Sequence, residues 1–281
     1  MRTSTRISRA AALLLVVGLL AGGCALGPTE TRDDRFAVGD SVRLIVDGVN
    51  GSIEVTAAAA GEVRIQATIR GANRIEYDVT QNGDTITAIG RRIGWALFSG
   101  GAGVSFVIAV PTQADMDLET SNGPIRLSGV DGSGSLETSN GKIVLEDVKG
   151  VFDGDTSNGS ITIDGLEGSA RFDTSNARVD LREVVGEVDV ETSNGRIFYS
   201  GDMLSGGRNR LATSNGDVDV ELYGAPSIDV DASTSRGRVS SEFPILVTAT
   251  REGELTGTIG AGEADLFIRT SNGSVSIRGG P

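Results

Sequence analysis

The tripeptide Thr-Ser-Asn begins at Thr120, Thr138, Thr156, Thr174 and Thr192, and each start falls 18 residues after the last. Glycine follows in four of these copies, and Ala177 takes its place in the fourth. The motif returns at Thr213 and Thr270, and in a worn form at Thr234-Ser235-Arg236-Gly237. A fixed internal period limits the fold more than any other signal. One short repeat cannot bury its own apolar face, so neighbouring copies must stack.

With threonine as position 0, position 5 holds Ile125, Ile143, Ile161, Val179 and Ile197. Position 7 holds Leu127, Leu145, Ile163, Leu181 and Tyr199. Apolar, mostly β-branched residues two apart predict a strand with one buried face, and the spacing of three and four that marks a helix is missing. Each copy is read as two strands, over positions 4 to 8 and 13 to 17. Glycines at positions 3 and 12 are placed at the turns between them, where positive φ is expected.

Copies of this length fit either hairpins in a meander or coils of a solenoid. Asn-Gly is itself a strong hairpin turn. In a parallel coil, however, Asn122, Asn140, Asn158, Asn176 and Asn194 stack about 4.8 Å apart as a ladder of amides. That gives asparagine a reason to keep one phase, and a meander gives none. The fold class expected is therefore all-β: a single-stranded parallel β-helix with one coil per 18 residues. From Phe36 onward there is chain for about a dozen coils, a rod roughly 60 Å long.

Met1 to Gly23 reads as a signal peptide, with Arg2, Arg6 and Arg9 before an apolar run too short to span a bilayer. Ala21-Gly22-Gly23-Cys24 resembles a bacterial lipobox. That resemblance implies cleavage before Cys24, the only cysteine, and a lipid anchor on its sulfur. Residues 24–35 read as a polar tether. Ala25, where an aspartate would favour inner-membrane retention, points to the outer membrane if the host is Gram-negative. The localisation expected is the cell envelope, anchored and extracytoplasmic.

Residues 36–281 are assigned to the solenoid, with irregular coils and a cap over 36–111 and regular repeats over 112–281. Asn50-Gly51-Ser52-Ile53 looks like a decayed first copy, and Gln81-Asn82-Gly83-Asp84 like a hairpin turn. The segment with Trp95, Leu97 and Phe98 is read as a plug over the first coil, since solenoids must cap their ends.

Removing the three leader arginines takes the formal charge from −13 to −16, which disfavours nucleic acid as a partner. Histidine is absent, so no Ser-His-Asp or Cys-His arrangement is available. Position 17 holds Glu119, Glu137, Asp155, Asp173 and Glu191. Stacked carboxylates repel by about 0.9 kcal/mol per neighbour at 4.8 Å in water. This edge is a candidate for weak calcium binding, set against a plain solvated face that guards against aggregation. No metal or other cofactor is otherwise expected. Asp153-Gly154-Asp155 begins like an EF-hand loop, but Asn158 stands where that loop requires glycine. Residues that break the repeat, Arg178, Asp180 and Asp202, are the candidates for the alternative reading, a polysaccharide-active β-helix enzyme.

The Thr-Ser-Asn-Gly copies, the strand from Phe106 to Pro111 and the Gly257-to-Gly262 turn resemble one bacterial family, labelled "putative adhesin" and a domain of unknown function. The resemblance covers nearly all of the mature chain. It implies a right-handed parallel β-helix on an exported protein, and brings no catalytic residues. The function expected is a non-catalytic envelope lipoprotein, an adhesin, binding protein or scaffold. Its partners would be the membrane through the anchor, and an envelope protein or glycan.

Overall fold

The structure, a computed structural model, describes residues 28–94 and 101–280. Cys24, the signal peptide, and the Trp95, Leu97 and Phe98 of the expected plug lie outside the described residues. The first strands are β1 (Thr29–Ala37), β2 (Ser41–Gly48), β3 (Ile53–Ala58), β4 (Glu62–Arg70), β5 (Ile75–Asn82), β6 (Thr85–Arg92) and β7 (Gly103–Pro111). The repeats form β8 (Gln113–Thr120), β9 (Ile125–Ser128), β10 (Asp131–Thr138), β11 (Ile143–Thr156), β12 (Ile161–Thr174), β13 (Val179–Thr192) and β14 (Ile197–Asp202). After them come β15 (Arg208–Thr213), β16 (Val218–Leu222), β17 (Ile228–Arg236), β18 (Val239–Ser241), β19 (Leu246–Arg251), β20 (Glu254–Ile259), β21 (Ala264–Asn272) and β22 (Val275–Gly279). Among the described residues no helix is long and apolar enough to cross a membrane.

The molecule is a β-solenoid. Successive copies pair in parallel and in register, so that Ile143 lies beside Ile125 and Ile161, and Thr156 beside Thr138 and Thr174. Each coil contributes one strand to a first sheet, ending at the threonine, and one to a second sheet, starting after the glycine. The long strands β11, β12 and β13 serve both sheets. They bend at a far corner where Asp147 and Glu183 take φ near 50° and Gly150, Gly168 and Gly186 take φ of 118°, 143° and 149°. The position-12 glycines thus have the conformation the sequence led us to expect.

The position-3 glycines do not. Their φ is ordinary, and the close approach of neighbouring backbones is what favours glycine in the copies that carry it. A Cβ on Gly141 would sit 1.7 Å from the carbonyl oxygen of Gly123, and one on Gly159 1.7 Å from that of Gly141.

Between the sheets lies one continuous apolar core. Large and small residues alternate along a column: the ring of Phe172 occupies the place where a Cβ on Gly154 would project, 2.2 Å from its Cε1. Phe152 stands over Gly134 in the same way. Interlocking of this kind fills the core without voids, and burial of each large apolar side chain contributes on the order of 1.5–3 kcal/mol.

Order along the rod departs from order along the chain at both ends. The coil made by β2 and β3 packs directly on that of β8 and β9, while β6 and β7 stack on its other side. At the far end, β21 and β22, the last strands of the chain, lie between β15–β16 and β17–β18. Antiparallel strands finish both ends: β5 pairs with β6, β4 with β7 and β1 with β4, then β20 with β17 and β19 with β20. The β5–β6 hairpin turns at Gly83-Asp84, within the expected segment.

Two boundaries need correction. β1 starts at Thr29, so most of the stretch read as tether is an ordered strand paired with β4. The segment 112–281 is not one regular array, because its last copy is inserted before the worn copy at Thr234. The first sheet is 13 strands deep, close to the expected rod of roughly 60 Å at 4.8 Å per strand.

Candidate functional site

The asparagines form the predicted ladder. Asn140 Nδ2 donates to Asn122 Oδ1 (2.6 Å), Asn158 to Asn140 (2.7 Å), Asn176 to Asn158 (2.9 Å) and Asn194 to Asn176 (3.0 Å). The column is longer than the regular copies. Asn122 donates to Asn50 at one end, and Asn215 to Asn194 and Asn272 to Asn215 at the other. Arg236 Nη1 ends it by donating to Asn272 Oδ1 (3.2 Å). An amide both gives and accepts, so it propagates a ladder; a guanidinium only gives, so it can only finish one.

Behind the asparagines stands a threonine column that the sequence reading left without a role. Each hydroxyl donates to a carbonyl of the preceding coil: Thr138 to Gly123, Thr156 to Gly141, Thr174 to Gly159 and Thr192 to Ala177, all at 3.0–3.1 Å. These threonines are buried. A buried hydroxyl needs a partner, and this one tightens the corner where glycine lets the backbones approach. The invariance of position 0 was the available signal. Threonine, asparagine and glycine at this corner are thus engaged in stacking, and the motif is architecture.

Position 17 stacks as expected. Glu137 lies between Glu119 and Asp155, and Asp173 between Asp155 and Glu191. Asp47 extends the column beyond Glu119. Arginines terminate it: Arg91 pairs with Asp47 (2.7 Å), and Arg210 with Glu191 (3.0 Å) and Asp189 (3.2 Å). Partial burial, then the neighbouring carboxylates Asp47 and Glu137, push the Glu119 carboxyl above its usual range. Partial burial and Asp155 do the same for Asp173. Among the described residues no group of three or more His, Cys, Asp or Glu side chains is placed to hold a metal ion.

The residues that break the repeat separate into two places. Asp202 is exposed beside Val185, at the far corner. Arg178 and Asp180 are together on the outer side of the second sheet, where Asp180 is paired with Phe198 of the next coil. The Asp180 side chain is nearly buried, only 10% exposed, with Arg178 Nε at 2.9 Å from it and Arg182 Nη2 at 3.9 Å. Three further residues, Arg182, Arg196 and Phe198, missed from the sequence, complete the patch. The guanidinium carbons of Arg182 and Arg196 lie 5.5 and 5.9 Å from the centroid of the Phe198 ring. Arg196 Nε also pairs with Asp219 at 3.1 Å. The available signal was a phenylalanine at an outward position, after arginine, valine, threonine and aspartate in the earlier copies.

No curated protein matches the chain. Solved structures to which the chain is similar include a "putative lipid binding protein" from Parabacteroides distasonis, 11% identical with a TM-score of 0.38, covering 88% of this chain and 96% of that one. A "putative adhesin" from Bacteroides fragilis is 11% identical with a TM-score of 0.37, covering 89% and 96%. A "putative cell adhesion protein" from Clostridium sporogenes is 11% identical with a TM-score of 0.25, covering 89% and 100%. One family model spans almost the whole solenoid, from Arg43 in β2 to Arg278 in β22. The chain belongs to the Toastrack DUF4097 family, whose model matches residues 43–278.

Proposed function

We propose that this protein is a non-catalytic binding scaffold of the cell envelope, exported by its leader and held to the membrane by lipid on Cys24. The observation that carries the reading is a division of labour among polar side chains. Those that recur at the corner are engaged in holding coil to coil, as the asparagine and threonine columns are. Several that depart from the repeat, Arg178, Asp180, Arg196 and Phe198 among them, gather as a patch on the outer side of the second sheet, while Asp202 lies apart at the far corner. A stiff rod with its distinctive residues on one flank suits an extended partner. Asp180, the carboxylate in that patch, lies within ion-pair distance of two arginines, which favours a positioning role for it over proton transfer.

Two measurements test this. The full chain expressed in a bacterial host should partition with membranes and incorporate labelled fatty acid, and Cys24→Ser should do neither. Purified protein should retain an envelope component from solubilised envelopes. A protein that stays unlabelled in the soluble fraction and retains nothing would overturn the reading.

A further inference from the structure

We infer that the patch centred on Phe198 is a binding site for the carboxylate or phosphate groups of an acidic glycan. The inference rests on the binding-scaffold reading above and assigns it a ligand class.

Three arginines converge there on a chain whose net charge is −13. They are held in place by other side chains rather than left to wave in solvent. Arg178 and Arg196 are each gripped through Nε, by Asp180 and Asp219. An arginine approached at Nε still has terminal N–H groups that a ligand can engage. Both side chains remain well exposed, at 70% and 56%. The guanidinium groups of Arg182 and Arg196 both lie over the ring of Phe198, which brings them to one place on the sheet. Planar, fixed forks are the geometry that recognises carboxylate and phosphate through paired hydrogen bonds.

The layout also selects the kind of carrier. Arg178 lies one residue before β13 and Arg196 one residue before β14, so they belong to neighbouring coils, about 4.8 Å apart along the rod, close to the length of one sugar unit. A chain of acidic sugars laid along the sheet would present successive charges to successive arginines. An anionic bilayer fits less well. The patch is on the flank, roughly 34 Å along the rod from β1, the strand at which the described chain enters. The chain's net charge of −13 would also be repelled by such a surface. A long polyanion would meet the same repulsion, so a short stretch of acidic glycan is what the patch can take.

The test is calorimetric titration of the intact mature protein at low salt with tetragalacturonate. Arms with the neutral oligomer of the same sugar, inorganic phosphate and phosphatidylglycerol vesicles run beside it. Tetragalacturonate should bind and weaken as salt rises, and the neutral oligomer should not bind. Arg178→Ala/Arg196→Ala should lose at least tenfold in affinity, and Arg178→Lys/Arg196→Lys, which keeps charge without the fork, should lose most of that. Arg126→Ala, on the same sheet away from the patch, should bind as the parent does. Each variant is checked for an unchanged melting temperature, and Phe198→Leu, which removes the ring that both guanidinium groups lie over and should weaken binding, is a second probe where the double variant is unstable. No binding of tetragalacturonate, undiminished binding by the folded arginine variants, or preference for vesicles or free phosphate would each overturn the inference. Envelope capture that survives Arg178→Ala/Arg196→Ala would overturn it while leaving the scaffold reading intact.

Discussion

Between β8 and β16 the solenoid advances coil by coil in the order of the chain; at its two ends it does not. Yet the same corner chemistry runs through all three parts. Asn50 before the regular copies, and Asn272 after them, occupy the ladder on the same terms as Asn158 at its centre. A coil is therefore defined by what its corner can bond to above and below, and the connections between coils are free to travel. The ends use that freedom alike. In each, one coil is enclosed between two that precede or follow it out of turn, and antiparallel strands close the stack. The two closures differ in their outermost edges. β1 carries Arg32, Asp33, Asp34 and Arg35, charges that discourage pairing with another chain, whereas β19 leaves Leu246 76% exposed.

The contrast is broken most severely by shortening the chain. Ending it after Gly260 removes β21 and β22 from between two other coils, so β17 and β18 lose their parallel partners. Removing residues 28–37 strips only β1, an edge strand paired with β4. The first truncation should unfold the whole region beyond β16 and lower the melting temperature by more than about 10 °C, the second by a few degrees. Hydrogen exchange gives the same test without a variant. Amides of 264–279 should exchange more slowly than those of 239–259, although they stand nearer the chain terminus. Equal protection would mean that the inserted coil is no better held than its neighbours.

A smaller effect sharpens the ladder. Asn158→Ala removes a bond on each side of a central rung, and should cost about 1–2 kcal/mol in urea unfolding. Arg236→Ala removes one bond at the terminus and should cost less than about 1 kcal/mol. Equal losses would show that the column is not cooperative along its length.

The smallest effect concerns the acidic column. The folded-state pKa of Glu119 is raised, so the folded protein holds a proton there more readily than the unfolded chain does. Ionisation of Glu119 therefore costs stability at neutral pH, and that cost disappears as pH falls through the raised value toward the ordinary one. Glu119→Gln should stabilise by a few tenths of a kcal/mol at pH 7, because exposure screens the repulsion, and by nothing near pH 4. Asp33 runs the other way. Its hydrogen bond to Arg64 lowers its pKa, and the stability it provides is present above the ordinary carboxylate value and lost below it. Thermal melts of Glu119→Gln and the parent between pH 4 and 7 separate the two.

Periodicity made the regular coils legible, because a column of identical residues has only one economical explanation. The ladder, the buried positions 5 and 7 and the glycine turns at position 12 all follow from it. The reason for glycine at position 3 is not legible, since a close approach between two backbones leaves no mark in one copy that differs from a need for positive φ. The role of threonine is hidden because its hydroxyl reaches a neighbouring coil, which a single copy does not contain. The inserted last coil was hidden for the same reason, with one exception. Arg236 in place of asparagine is a residue that can finish a ladder and cannot continue it, so the copy at Thr234 had to be outermost. In the patch, Arg178 and Asp180 stood out as breaks in the repeat, but only the lateral register between β13 and β14 brings Phe198 and Arg196 to them.

Every amide in the corner column points the same way, with its nitrogen toward the coil of Asn50 and its oxygen toward that of Arg236. Small dipoles aligned head to tail add, as peptide dipoles do along a helix. The rod thus acquires an electrical direction independent of its charged side chains, with partial negative charge accumulating where the series stops. A guanidinium is the cation placed at that terminus, and one more rung of the same kind would find no acceptor there to receive its N–H.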